Sequence, residues 1–151
     1  MRPPRRRLAG SRVLCLSRGQ VLLVEHHDPA TGRLFWVLPG GGREADETFA
    51  EAATREVWEE TGVAVRLIRR LRVPREQPHV TYALYLAEPL AHTPAVPRVD
   101  VQVEAFLRGA AWHPVTIANP LGPLNEEYWG YLARRIRDRL RAIDRAPSPR
   151  Q

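Results

Sequence analysis

Lysine is absent: all 23 basic side chains among the 151 residues are arginine. That reflects G+C-rich coding more than a binding role, although arginine suits bidentate contacts to phosphate. Cysteine occurs once, as Cys15, so no disulfide can close within the chain and a cysteine-based zinc site lacks ligands. Set in the apolar stretch Val13 to Leu16, Cys15 reads as a small buried hydrophobe in a reducing compartment, and the cytoplasm is the expected location. No apolar run approaches the roughly 20 residues of a membrane span. A signal peptide's apolar core is missing too, because Ser17, Arg18, Gly19 and Gln20 interrupt after Leu16. The 14 prolines and 10 glycines are scattered, which excludes collagen and low-complexity classes. What is present, at 44% hydrophobic, is enough to bury a real core in one domain of ordinary size.

The net charge of +6 is uneven. Residues 1–12 carry five Arg and no acid, and residues 134–151 carry seven Arg against Asp138 and Asp144, so each end is +5. The middle, residues 13–133, is −4. The expected organisation is a flexible basic arm over residues 1–12, one domain over 13–145 and a tail over 146–151. The arginine-rich ends could touch phosphates non-specifically. No aromatic residue interleaves the N-terminal arginines and no nucleic-acid motif appears, so a nucleic-acid partner is not expected.

Val13 to Leu16 and Val21 to Val24, separated by Ser17-Arg18-Gly19-Gln20, predict a β-hairpin. Asp28 to Gly32 predicts a loop, and Leu34 to Leu38 a short strand stopped by Pro39 and the glycines Gly40, Gly41 and Gly42. Thr48 with Glu51 forms a capping box for a helix that runs to Thr61 and stops at Gly62. Strands are expected over Val63 to Leu71, Val80 to Ala87, Val99 to Val103 and Phe106 to Val115, with proline-bearing loops between. Tyr82 and Tyr85 are expected on one strand face as partial core. Asn125 is expected to cap one long helix reaching Ile143, with Trp129, Leu132, Ile136, Leu140 and Ile143 on its buried face. This order implies an α/β fold, a mixed β-sheet with helices packed on it.

The chemistry concentrates between Gly41 and Val63. Glu56, Glu59 and Glu60 stand at i, i+3 and i+4, so they share one helical face. Like charges at that spacing destabilise a helix by roughly 0.2–0.5 kcal/mol per pair. A solvated acidic face is the plain reading of such a cluster in isolation. A hard divalent cation would offset the repulsion, and oxygen ligands favour Mg²⁺ or Mn²⁺ over zinc. The glycines just ahead let backbone approach a ligand closely, and Arg55 and Glu47 stand where they can pair.

Gly41, Glu47, Arg55, Glu56, Val57, Glu59, Glu60, Gly62 and Val63 match the signature of the Nudix hydrolase family at every specified position, and Phe35 to Gly41 resembles the family's entry to that box. The resemblance implies an αβα sandwich that cleaves a nucleoside diphosphate linked to another group: a nucleotide, nucleotide sugar or dinucleotide. It implies Mg²⁺ or Mn²⁺ held by Glu56, Glu59 and Glu60, with Gly41 lending a backbone carbonyl. Arg55, counted with the catalytic set, and Glu47 would hold loop and helix in register. Glu56 is one candidate for the general base, and a residue outside the box is the other. A further metal carboxylate is expected from Asp100 or Glu104, with Glu104 preferred. A non-hydrolytic nucleotide sensor on the same fold, and an RNA 5′-end hydrolase using the basic ends, are the alternatives.

The box leaves the substrate undecided. Arg33, His26 and His27 stand near strand ends that could face the site. Pro78, 15 residues past the box, is similar in position to a proline of ADP-ribose-cleaving members. Tyr82, 19 past it, lies a little beyond the tyrosine of diadenosine polyphosphate cleavers. Trp58 points away from Glu56, toward the core or toward a second copy of the chain in a homodimer.

Overall fold

Arg18 and Gly19 both take positive φ, 52° and 70°, as a two-residue hairpin turn requires. The turn joins strand β1 (Gly10–Ser17) to β2 (Gln20–His27), with Leu16 opposite Val21. The structure is a computed structural model, and it describes residues 7–77, 80–99 and 106–145. Gly10 to Arg12, expected in the arm, therefore belong to β1.

On the far side of β1 lies β6 (Tyr82–Pro89), parallel to it from Gly10 opposite Tyr82 to Cys15 opposite Ala87. The antiparallel strand β5 (Val65–Leu71) follows β6 in the sheet. Strands β3 (Leu34–Val37) and β7 (Leu107–Pro114) both pair antiparallel with β2. The path runs β3-β2-β1-β6-β5, a mixed sheet held in place by β1.

Alternation along β1 divides the core. Val13 and Cys15 join Leu22, Val57, Val63 and Val65 beneath helix α1 (Phe49–Thr61). Leu14 and Leu16 join Leu23, Leu84, Leu132 and Ile136 on the opposite face, beneath the C-terminal helices. Leu132 and Ile136 have no exposed surface, and burial of each contributes about 1.5–3 kcal/mol. Helices cover both faces of the sheet, which gives the expected αβα sandwich. Cys15 is fully buried, and that burial, followed by the charge of Glu88, pushes its thiol up to about 12.

Several expectations need correction. Gly40–Gly42 does not merely stop a strand; it forms strand β4, antiparallel to β1 with Arg12 opposite Gly40. The single long helix is broken. Asn125 caps a short α2 (Glu126–Trp129), a 3₁₀ turn spans Gly130–Leu132, and α3 covers Ala133–Asp144. Glycine favours a helix poorly, and three residues per turn aligns Trp129 with Leu132, both buried. Tyr82 and Tyr85, an odd number of residues apart, face opposite ways. Tyr82 packs with the α3-side cluster and Tyr85 with the α1-side cluster. Trp58 does not enter the core: it is 45% exposed, with the Arg98 guanidinium 4.9 Å above its ring. Val99 lies in a bend, and the rest of the expected strand to Val103 lies outside the described residues.

Candidate active site

The predicted capping box fixes the start of α1. The Thr48 hydroxyl accepts from the Glu51 backbone N–H, and the Glu51 carboxylate accepts from that of Thr48. Gly62, in the left-handed conformation at φ 68°, ends the helix. Between these stops lie Arg55, Glu56, Glu59 and Glu60.

Arg55 gathers the site. Its Nε and Nη2 donate to the two oxygens of Glu47 at 2.7 and 2.9 Å. Nη2 also donates to the Gly42 carbonyl at 3.0 Å. Nη1 donates to Glu56 Oε1 at 3.0 Å and Glu59 Oε2 at 3.1 Å. A guanidinium has five N–H donors, and these five contacts use them all. Arg55 thus ties α1 to the loop that precedes it. The Glu47 hydrogen bond is the main cause that raises the Arg55 pKa, and the reciprocal bond holds Glu47 below the usual carboxylate range.

Two glycines set the distance between β4 and α1. The Gly40 N–H donates to Glu60 Oε1 at 2.8 Å. A Cβ on Gly41 would stand 2.7 Å from the Glu56 carboxyl carbon, so a side chain there displaces the carboxylate from its place against the backbone. The Glu56 side chain is 19% exposed and that of Glu59 37%. Among the described residues no three acidic, histidine or cysteine side chains already converge as a metal cage. The donor set nevertheless fits a hard cation. It consists of carboxylate and carbonyl oxygens, and Glu47, Glu56, Glu59 and Glu60 outnumber the one arginine among them.

A cavity of about 690 Å³ opens on the α2 side of the sheet. Aromatic residues, Trp36, Tyr82 and Trp129 among them, form part of its wall, with Arg12, His26 and Arg33 adding polar groups. Tyr82 stacks on Trp129 with ring centroids 6.1 Å apart. Its hydroxyl bonds the Tyr131 hydroxyl at 2.7 Å. Burial raises both phenols, Tyr131 to about 12. Burial, with the nearby Arg12 charge, pushes His26 down to about 4.

Of the residues singled out from the sequence, Gly41, Glu47, Arg55, Glu56, Glu59 and Glu60 meet at the α1–β4 junction. His26, Arg33 and Tyr82 meet at the cavity. His27 turns elsewhere, its Nδ1 3.4 Å from Arg108. Asp100, Glu104 and Pro78 lie outside the described residues. Sequence reasoning missed Arg12, Trp36, Asn125 and Trp129 as cavity residues. The signal for Arg12 is a charge in line with the apolar alternation of β1, a position the sequence reading gives to the arm.

Known proteins share part of this sequence and its fold. Phosphatase NudJ of Escherichia coli (strain K12) is 46% identical over 50 residues, which is 33% of this chain and 31% of that protein, so the match spans about a third of the relative. A NUDIX hydrolase from Nitrosomonas europaea shares the fold with a TM-score of 0.61 at 22% identity, over 89% of this chain and 74% of that one. An ADP-ribose pyrophosphatase from Streptococcus suis 89-1591 does so with a TM-score of 0.55 at 22% identity, over 91% and 92%. The sequence model of the NUDIX domain matches residues 5–134. The chain belongs to the NUDIX domain family.

Proposed function

We propose that this protein is a pyrophosphohydrolase dependent on Mg²⁺ or Mn²⁺. It cleaves the phosphoanhydride of a nucleoside diphosphate linked to another moiety, by attack of water at phosphorus. The observation that carries the reading is the packing of Glu47, Glu56 and Glu59 around one arginine, with Glu60 on the adjacent Gly40 N–H. In this reading Glu56, Glu59, Glu60 and the Gly41 carbonyl hold the cation, and Glu104 is the further carboxylate. The cation supplies charge neutralisation at the phosphate oxygens and makes water a competent nucleophile near neutral pH.

The chain's own groups do the rest. Arg55, with every donor engaged by protein, is a positioning residue that fixes Glu56 and Glu59 against the loop. In this reading Glu56, whose carboxylate lies against Gly41, is the group that accepts a proton from the attacking water. The aromatic cavity receives the ring of the nucleoside. The Streptococcus suis protein named an ADP-ribose pyrophosphatase falls in the same reaction class. The reading includes action in the cytoplasm on small nucleotides. Among the described residues no helix is long and apolar enough to cross a membrane. A homodimer would have exposed Trp58 available for its contact.

A panel of nucleotides, nucleotide sugars and dinucleotides, assayed with Mg²⁺ and with Mn²⁺ for released phosphate or nucleoside monophosphate, tests the proposal. Turnover of at least one class, abolished by a chelator, is expected. Binding without turnover across the panel would favour a nucleotide sensor instead.

A further inference from the structure

Arg12 stands in the middle of the sheet. Its register partner is Gly40 in β4 on one side and Leu84 in β6 on the other. Alternation along β1 puts it on the face of Leu14 and Leu16, where it lines the aromatic cavity. Its Nη1 donates to the Leu38 carbonyl at 2.9 Å. Among the described residues no carboxylate lies within ion-pair distance of it. Arg55 spends all five donors on protein acceptors, whereas Arg12 spends one among the described residues. A half-buried guanidinium favours further acceptors or a counter-charge.

The rest of the cavity sharpens the imbalance. Among the described residues Asp28 is the single acid along its wall, and its two oxygens already accept from the Ala30 N–H and the Thr31 hydroxyl. Arg33 adds a second positive charge. His26 is neutral at pH 7, because burial and Arg12 both oppose its protonation. Among its described residues the cavity thus offers aromatic rings beside a net positive charge, which suits an anion that carries a flat ring.

We propose that Arg12 is the phosphate-binding residue of this cavity. It grips the phosphate of a nucleoside monophosphate unit whose base lies among Trp36, Tyr82 and Trp129. The position is apt. Gly40, one strand spacing away at ~4.8 Å, donates to Glu60, and the next residue packs on Glu56. A phosphate at Arg12 leaves the base in the cavity and lies beside β4, whose Gly40 N–H donates to Glu60. This assignment rests on the hydrolase reading and adds to it which residue distinguishes a nucleotide from a nucleoside.

Trp36 and Trp129 allow a test that needs neither metal nor turnover. The full chain is titrated with AMP, adenosine, UMP and uridine, and tryptophan fluorescence is read. The wild type should bind the monophosphates at least tenfold tighter than the nucleosides, with an advantage that shrinks as salt rises. Arg12→Met should bind nucleosides as before and lose the phosphate preference. Arg12→Lys, which keeps the charge and loses the fork, should fall between them and guards against a folding defect in the methionine variant. In turnover, Arg12→Met should raise KM more than it lowers kcat. A phosphate preference retained in Arg12→Met, or an equal loss for nucleoside and nucleotide, overturns the role of Arg12 and leaves the hydrolase reading standing. A wild type that binds none of the four probes overturns the cavity assignment and the Arg12 role together.

Discussion

Arg55 and Glu47 form a two-point ion pair, Nε to Oε2 at 2.7 Å and Nη2 to Oε1 at 2.9 Å, across eight residues of sequence. The pair links the loop after β4 to the middle of α1, and the same guanidinium holds Glu56 and Glu59. Glu47 therefore acts on the site through Arg55.

Glu47→Gln should keep the fold and loosen the site. Loss of a supporting carboxylate of this kind typically costs ~10–100-fold in metal affinity or activity. Arg55→Lys should behave similarly, because an ammonium cannot reproduce the fork. Calorimetric Mn²⁺ titration beside kcat checks both variants. Wild-type values in either would remove the positioning role.

Gly41→Ala should damage turnover more than stability. The added Cβ would meet the Glu56 carboxyl carbon at 2.7 Å, and that carboxylate must move. Misplacing a catalytic group by about 1 Å can cost 10²-fold in rate. A fall in kcat of at least tenfold with a thermal midpoint near the wild-type value is expected, measured by steady-state kinetics and thermal unfolding.

His26 gives a pH signature. Its folded pKa lies at about 4, below the ordinary value of 6.5, so the unfolded chain binds the extra proton first as pH falls. Its contribution is fully present above pH 6.5 and is lost progressively as pH drops toward 4. After allowance for solvent screening the loss is of order 1 kcal/mol, or ~2–4 °C in Tm for a chain of this length. His26→Gln should flatten the Tm profile across that window. An unchanged slope would mean that another group carries it.

The local devices of this fold were legible in sequence. The hairpin turn, the Thr48 capping box and the Gly62 stop each depend on residues within a few positions, and each stands where predicted. The acidic face of α1 followed from helical spacing alone. The glycine strand β4 was not legible, because its partner Gly10–Arg12 lies about thirty residues away and glycines carry no strand signal. The break at Gly130 was hidden because the apolar spacing from Trp129 to Ile136 fits a continuous helix as well as a turn and a helix. The cavity was hidden for a related reason: its wall draws on β1, β2, β3, β6 and α2, which only the sheet order brings together. Arg12 illustrates the point, since a charge in an apparent arm becomes a cavity residue once β6 pairs beside it.

In the proposed reaction the carboxylates of α1 bind the cation used to break a phosphoanhydride. Calorimetric titration with Mn²⁺ and Mg²⁺, with and without a non-hydrolysable nucleotide, addresses it directly in the wild type, Glu56→Gln and Glu59→Gln. Saturable uptake by the wild type is expected, with uptake weakened at least tenfold in each variant and turnover lost by ~10²-fold or more. No uptake by the wild type, or undiminished uptake and turnover in both variants, would contradict it.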